Sequence, residues 1–149
     1  MDHRLIRLRQ AQQDDIPFLF QLRTDTMRSH YENAGQAFNE ETQIPRIQDR
    51  FDCAQIVQYA GQDIGLFKVD KSTSPWMLCQ IQIAPNHQKS CLGTFLIKRL
   101  LKEAKRAGAP VTLKVLKVNS AKKFYEKLGF SQTGENDNSY FMAKAEQPD

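Results

Sequence analysis

The chain has 149 residues, of which 40% are hydrophobic and 26% are charged, a composition typical of a globular protein large enough for one domain. Its net charge of +4 is uneven, since residues 1–74 hold 9 Lys/Arg and 11 Asp/Glu whereas residues 75–149 hold 12 and 6. No apolar run approaches the ~18 residues of a membrane span, and the first residues have no signal-peptide core. We therefore expect one cytoplasmic domain over residues 1–149, without a membrane association.

The first half predicts a strand, two helical segments and a hairpin. Residues 5–9 alternate apolar and basic side chains, as a strand does. Asp14 and Asp15 are then expected to cap a helix that runs to about Met27. Residues 28–52 predict one broken helix, interrupted near Gly35 and Pro45. Residues 54–59 and 64–70 have the pattern of a hairpin, and residues 76–83 that of a further strand.

The second half contains the clearest helix. Its apolar stripe has helical spacing, and Gly108 and Pro110 follow it. The stripe comprises Leu92, Leu96, Ile97, Leu100, Leu101 and Ala104. A strand at 111–115, a short helix at 121–128 and a hairpin formed by 130–133 and 139–143 complete the chain. The order β-α-α-β-β-β-α-β-α-β-β predicts an α/β fold with a mixed central sheet flanked by helices.

The cysteines and histidines give no sign of a metal or disulfide site. Cys53, Cys79 and Cys91 are odd in number and widely spaced, and the three histidines are scattered. This pattern argues against a disulfide framework and against zinc. It fits a reducing compartment, and we expect no metal cofactor.

The segment between the strand ending at Ile83 and the helix beginning near Leu92 predicts an anion site. The first amides of a helix have no partner within it, and the helix dipole favours negative charge there. Gly93 lets a ligand approach the backbone closely. Ser90 and Thr94 add hydroxyl donors, and Lys89 adds a positive charge.

These residues resemble a known family. The run Gln88-Lys89-Ser90-Cys91-Leu92-Gly93 is similar to the signature of the GNAT acetyltransferase superfamily, and the segment from Asn119 to Phe130, with its F-Y-E-K-L-G-F run, resembles the second signature. Cys91 stands where the family usually has its first glycine. Two interpretations of Cys91 stay open: a small residue in place of glycine, or a thiol made reactive by the helix N-terminus.

The resemblance implies a GNAT-like fold, acetyl-CoA as acyl donor and direct transfer in a ternary complex to a small-molecule or peptide amine. It implies that Tyr125 is the acid that protonates the departing thiolate. It also implies that the end of the strand pairs with the pantetheine arm and that the turn holds the phosphates. The cofactor-binding residues it indicates are Ile81, Gln82, Ile83, Gln88, Lys89, Ser90, Cys91, Leu92, Gly93, Thr94, Asn119 and Lys122; Asn119 is also expected to be the N-cap of the short helix.

The carboxylates that serve as general base in some members of the family have no counterpart in this sequence. Strand 76–83 has no carboxylate, and neither does Leu113-Lys114-Val115. Candidates in residues 25–55, which shape the acceptor pocket in relatives, are His30, Glu32, Glu40 and Glu41. The acceptor itself is not specified by the sequence.

Two alternatives belong to other functional classes. One is a CoA- or acyl-CoA-binding module with little catalysis, which Cys91 and the missing base would favour. The other is a nucleic-acid binder that uses the basic half, although its Lys and Arg are not interleaved with exposed aromatics. The sequence does not specify the oligomeric state, although the family resemblance is consistent with a homodimer.

Overall fold

A seven-stranded mixed sheet organises the chain. The computed structural model describes residues 2–119 and 121–144, with only the backbone of Lys89. The strands are β1 Ile6–Gln10, β2 Ala54–Tyr59, β3 Gln62–Asp70, β4 Trp76–Ile83, β5 Val111–Leu116, β6 Ser131–Glu135 and β7 Ser139–Lys144, and the helices are α1 Ile16–Asn33, α2 Glu40–Gln48, α3 Leu92–Ala107 and α4 Lys122–Lys127. The strand order is β1-β2-β3-β4-β5-β7-β6. The predicted order of elements and the α/β fold class are confirmed.

Two compact units divide the chain, and the first is built around α1 and α2. It comprises Met1–Lys68 and Gln80–Gly93. β1 pairs antiparallel with β2, and β2 pairs antiparallel with β3. A buried cluster from both helices and the strands forms its core: Ala11, Leu19, Leu22, Ile47, Ala54, Ile56 and Leu66. Ala84, directly after β4, packs against this cluster.

The helical part of this unit differs from the prediction in three respects. α1 continues past Met27 to Asn33, because buried positions recur along its second half. Pro45 lies inside α2 without ending it, since one proline removes only one backbone hydrogen bond. Asp15 accepts from the amide of Gln12 rather than from the helix, so the predicted cap is a cap of the preceding 3₁₀ turn.

The second unit, Val69–Cys79 with Thr94–Asp149, contains the other end of the sheet. β5 pairs in parallel with β4 and antiparallel with β7, which also pairs with β6. Val111, Leu113 and Val115 are buried in the predicted alternation. The apolar stripe of α3 is buried as its spacing predicted, except for Leu101, which is half-buried. Within the described residues, no helix has the length and apolarity needed to cross a bilayer.

Gly65 allows β3 and β4 to approach closely in the first unit. A Cβ placed there would lie 2.6 Å from the carbonyl oxygen of Gln82 and 3.0 Å from Cδ1 of Ile83. Since the nearest atom belongs to the backbone, a side chain at this position would displace the strand that leads into the predicted anion site.

Gly65→Ala is therefore expected to destabilise the protein by about 1–3 kcal/mol, the usual cost of overpacking. Equilibrium urea unfolding would measure it. Gly134→Ala is the matched control, because a Cβ there would only meet Cδ2 of Phe141 at 3.7 Å. Equal stability of the two variants would contradict the close-approach argument.

Candidate functional site

The end of β4 leads into a turn with converging backbone amides. A 3₁₀ segment, Pro85–Ser90, follows the strand, and Cys91 then adopts the left-handed conformation with φ 62° and ψ 19° before α3 begins at Leu92. A right-handed residue followed by a left-handed one turns successive N–H groups toward a common point, which forms an anion-binding concavity. The N-terminus of the 16-residue helix α3 adds its dipole and its unpaired first amides. The predicted strand end at Ile83 and helix start at Leu92 are confirmed.

Cys91 occupies a backbone conformation that glycine adopts without strain. The left-handed region costs a residue with a Cβ roughly 1–2 kcal/mol. The exposed thiol is not needed for the backbone geometry.

We expect Cys91→Gly to raise stability by about 0.5–1 kcal/mol, because the relieved strain exceeds the greater chain entropy of glycine in the unfolded state. Thermal unfolding would measure the change. Cys91→Ala retains the Cβ and serves as the control, for which stability should stay near that of wild type. A glycine variant less stable than the alanine variant would refute the strain argument.

The side chains of the turn hold its shape. Nε2 of Gln88 donates to the carbonyl oxygen of Ile83 at 3.0 Å, and Oγ of Ser90 donates to the carbonyl oxygen of His87 at 2.5 Å. Leu92 is fully buried, so only its backbone amide can serve a ligand. Thr94 is half-buried in the first turn of α3, and the side chain of Lys89 lies outside the described part of the structure.

The ladder between β4 and β5 is short. It pairs Trp76 with Val111, Met77 with Thr112 and Leu78 with Leu113. The predicted cofactor-binding residues Ile81, Gln82 and Ile83 lie beyond this ladder, directly before the turn. Ile83 and Gln82 are buried. The carbonyl oxygen of Ile83 accepts from Nε2 of Gln88, and that of Gln82 lies against Gly65 of β3.

Tyr125 lies in the middle of α4, in the second unit. Its half-buried ring makes edge contacts with Phe124 and Phe130, at centroid distances of 5.3 and 5.9 Å. Burial raises the pKa of the phenol to about 12. Gly129, with φ 99°, closes the helix as predicted. The phenol is therefore fully protonated at neutral pH and has a proton to donate.

Asn119 and Lys122 precede Tyr125, and the structure corrects one of their predicted roles. Oδ1 of Asn119 accepts from the amide of Ala121 at 3.1 Å, so it shapes the turn before α4, while Ala121 is the N-cap. The prediction of Asn119 as N-cap was wrong because the helix starts later than expected. Nζ of Lys122 lies 4.4 Å from the ring centroid of Tyr140, a cation–π contact that leaves its charge near the surface.

The acidic candidates for the general base lie on the surface. Glu32 is exposed and pairs with Arg28 at 2.7 Å. Glu40 and Glu41 are exposed in the first turn of α2, and His30 is half-buried in the last turn of α1. Nothing among the described residues desolvates these carboxylates, so the structure brings no carboxylate base into a buried site here.

The buried polar groups of the first unit were missed by the sequence analysis. Nε of Arg23 donates to Oε1 of Gln43 at 2.8 Å, and burial lowers the pKa of the Arg23 guanidinium. Lys68, only 1% exposed, and Gln80 both donate to the carbonyl oxygen of Arg46 at the end of α2. Only the pattern Q-I-Q in β4 could have drawn attention to Gln80, and alternating polar residues usually indicate a solvent face.

Within residues 2–119 and 121–144, no three His, Cys, Asp or Glu side chains are grouped as metal ligands would be.

Solved structures of known proteins share the fold of this chain. Among curated proteins the sequence has no significant match. The solved structure of the PaiA N-acetyltransferase from Thermoplasma acidophilum, in complex with coenzyme A, is 19% identical, with a TM-score of 0.71 and coverage of 94% of this chain and 98% of that one.

Two further structures have the same fold. The ribosomal-protein-S18-alanine N-acetyltransferase from Escherichia coli is 18% identical, with a TM-score of 0.66 and coverage of 97% and 96%. Naa50 from Arabidopsis thaliana, in complex with a bisubstrate analogue, is 16% identical, with a TM-score of 0.63 and coverage of 95% and 99%. The family model described as an acetyltransferase (GNAT) domain matches residues 24–140. The chain therefore belongs to the GNAT acetyltransferase family.

Proposed function

We propose that this protein is an acetyl-CoA-dependent N-acetyltransferase that moves an acetyl group to a primary amine by direct transfer in a ternary complex. The observation that carries the proposal is the turn after β4, where the left-handed Cys91 directly precedes the start of α3, a geometry that favours anion binding by backbone amides. Membership of the GNAT family supplies the reaction class. Two of the solved relatives contain coenzyme A or an analogue built on it.

The residues of this chain could bind both the pyrophosphate and the pantetheine arm of the cofactor. The amides of residues 90–93 would hold the pyrophosphate. Beyond the short ladder with β5, the backbone of Ile81 and the amide of Ile83 would pair with the amide groups of the pantetheine arm, because main-chain polar groups need partners. The predicted backbone role of Gln82 is not supported, since its carbonyl oxygen lies against Gly65 of β3. When bound, acetyl-CoA supplies the activated acetyl thioester.

The proposed chemistry balances with one acid from the protein. The amine nitrogen forms a bond to the acetyl carbonyl carbon, and the bond from that carbon to sulfur breaks. The phenol of Tyr125 gives its proton to the departing sulfur and recovers one from solvent. The proton that the attacking nitrogen loses goes to water, since the acidic candidates are exposed; most of the rate enhancement then comes from holding the two reactants together.

A titration followed by an activity assay tests this function. Calorimetry should show acetyl-CoA and CoA binding, and thiol release should then depend on both enzyme and amine. Binding without thiol release across an amine panel would support the alternative, a CoA-binding module with little catalysis. Absence of binding at millimolar ligand would refute both.

The proposal also includes the class of acceptor substrate and the cellular compartment. A small-molecule or peptide amine is the acceptor class, in line with the solved relative that carries a bisubstrate analogue. We expect the enzyme to act in the cytoplasm, because Cys53, Cys79 and Cys91 form no disulfide.

A further inference from the structure

Two glutamine side chains on β4 hold buried carbonyl oxygens that have no donor. Oε1 of Gln80 and Oε1 of Gln82 are both inaccessible to solvent and accept no hydrogen bond from any described residue. Gln82 is 9% exposed. Side chains two apart in a strand project from the same face, about 7 Å apart along the chain. The two oxygens therefore belong to one face of the strand.

The orientation of the Gln80 carboxamide is fixed by its other end. Its Nε2 donates to the carbonyl oxygen of Arg46 at 3.1 Å. A rotated carboxamide would set its oxygen against that carbonyl oxygen, so the amide nitrogen must face α2. Oε1 of Gln80 consequently points away from the end of α2.

The glutamine face is the α1–α2 side of β4. Ala84 continues the alternation of Gln80 and Gln82, and it packs against the core cluster that α1 and α2 share. Ile81 and Ile83 point to the opposite side of the strand. All of these residues lie in the first unit, so the arrangement is internal to it.

The donor beside Gln80 is already engaged. Nζ of Lys68 donates to the carbonyl oxygens of Arg46, Ile47 and Asp49, three bonds for its three protons. A buried carbonyl without a donor costs roughly 1–3 kcal/mol, so two on one face call for a donor from outside the chain.

The chemistry of the reaction indicates which reactant brings that donor. At the reacting end, a thioester has no N–H or O–H group, whereas a primary amine in its neutral form has two N–H groups. If both N–H groups are bound by oxygens, the nitrogen lone pair stays free to attack. Uncharged oxygens also stabilise the ammonium form less than a carboxylate would, which lowers the cost of deprotonation where no buried base is present.

We propose that Oε1 of Gln80 and Oε1 of Gln82 bind the two N–H groups of the acceptor amine and so select primary amines. This inference rests on the proposed function and adds the site of the acceptor. The side chain of Gln82 then faces the amine, while its backbone carbonyl lies against Gly65 of β3.

The experiment compares each primary amine with its N-methyl derivative, which has one N–H fewer. Phenethylamine, spermidine and a short peptide with a free amino terminus are the probes, and the one turned over fastest is used. Loss of one hydrogen bond should lower kcat/KM of the wild-type enzyme for the N-methyl form about tenfold. Gln82→Met, of similar shape but without the oxygen, should raise KM for the primary amine about tenfold and reduce this discrimination to about twofold.

Control variants distinguish loss of the carboxamide oxygen from a general loss of structure. Gln13→Met makes the same chemical change at an exposed glutamine and should leave both parameters unchanged. Circular dichroism and the midpoint of thermal unfolding would report whether Gln82→Met folds normally. Gln80→Met, which also loses the bond to Arg46, should show the same loss of discrimination together with lower stability.

The outcomes are distinct from those of the proposed function. If Gln82→Met keeps wild-type discrimination, or if it weakens acetyl-CoA binding while KM for the amine stays unchanged, the inference is overturned and the acetyltransferase function stands. If the wild-type enzyme binds acetyl-CoA and acetylates none of the probes, both proposals fail.

Discussion

Replacing Tyr125 with phenylalanine is expected to lower kcat by about 10²–10³-fold while the Kd for CoA stays nearly unchanged. The magnitude is that of losing one positioned general acid. The ring contacts with Phe124 and Phe130 do not involve the hydroxyl, so the variant should keep the packing of α4. Steady-state thiol release and calorimetric binding of CoA are the two measurements.

The physical basis is the protonation state of the phenol. Burial raises the pKa of Tyr125 to about 12, so the group holds its proton through the neutral and mildly alkaline range. A thiolate, with an ordinary pKa near ~8.5, leaves more easily when it receives a proton, and desolvation in a closed site raises the pKa of the thiol as well.

The raised pKa also gives a prediction for the pH profile. Because deprotonation of Tyr125 begins only as pH approaches about 12, this group should cause no alkaline loss of rate below about pH 10. Tyr59→Phe removes a hydroxyl that accepts from the amide of Asp2; it is the matched control and should retain full turnover. Unchanged turnover in Tyr125→Phe would show that the acid assignment is wrong.

Replacing Lys68 with methionine is expected to destabilise the protein by about 3 kcal/mol. The side chain is 1% exposed, and Nζ donates to the carbonyl oxygens of Asp49, Ile47 and Arg46 at 2.5, 3.0 and 3.3 Å. The last carbonyls of a helix have no partner within it, and a cation there also interacts favourably with the helix dipole. Methionine fills the space of the stem but leaves these carbonyls without that donor.

Equilibrium unfolding in urea would measure this loss. The value is lower than three separate lost bonds would suggest, because removing the ammonium also removes the cost of burying a charge. Lys102→Met, at an exposed position on α3, is the control and should change stability by less than about 0.5 kcal/mol. An equally small change for Lys68→Met would mean that the C-terminus of α2 is stable without the ammonium.

The sequence predicted the parts of the fold that depend on local pattern. β4 was predicted with the bounds that the structure gives it, Trp76–Ile83, because Pro75 and Pro85 delimit a run of mainly apolar residues. The apolar stripe of α3 and the closing residues Gly108 and Gly129 were equally clear, since helical spacing and left-handed glycines are local properties. The position of the predicted anion-binding turn followed from the end of β4 and the start of α3.

The parts that depend on tertiary packing were missed. Arg23 and Lys68 are buried, and Gln80 has a buried side-chain oxygen; a periodicity of apolar residues cannot find such groups. Gln82 was predicted only as part of the cofactor-binding strand, and the burial of its side-chain oxygen was missed. The helix start after Asn119 was misplaced because one side-chain hydrogen bond to Ala121 fits a turn as well as a cap. The proposed acceptor site uses two of these residues, Gln80 and Gln82, which explains why the sequence specified the cofactor side alone.

The most direct test of the central claim is to incubate the wild-type protein with acetyl-CoA and a primary amine and quantify both products. Thiol release measures the CoA formed, and mass spectrometry measures the acetylated amine. The proposed function predicts equal amounts of the two, formed only when enzyme, acetyl-CoA and amine are all present. Tight binding of acetyl-CoA without acetylated amine would contradict it and leave a protein that binds the cofactor without transferring its acetyl group.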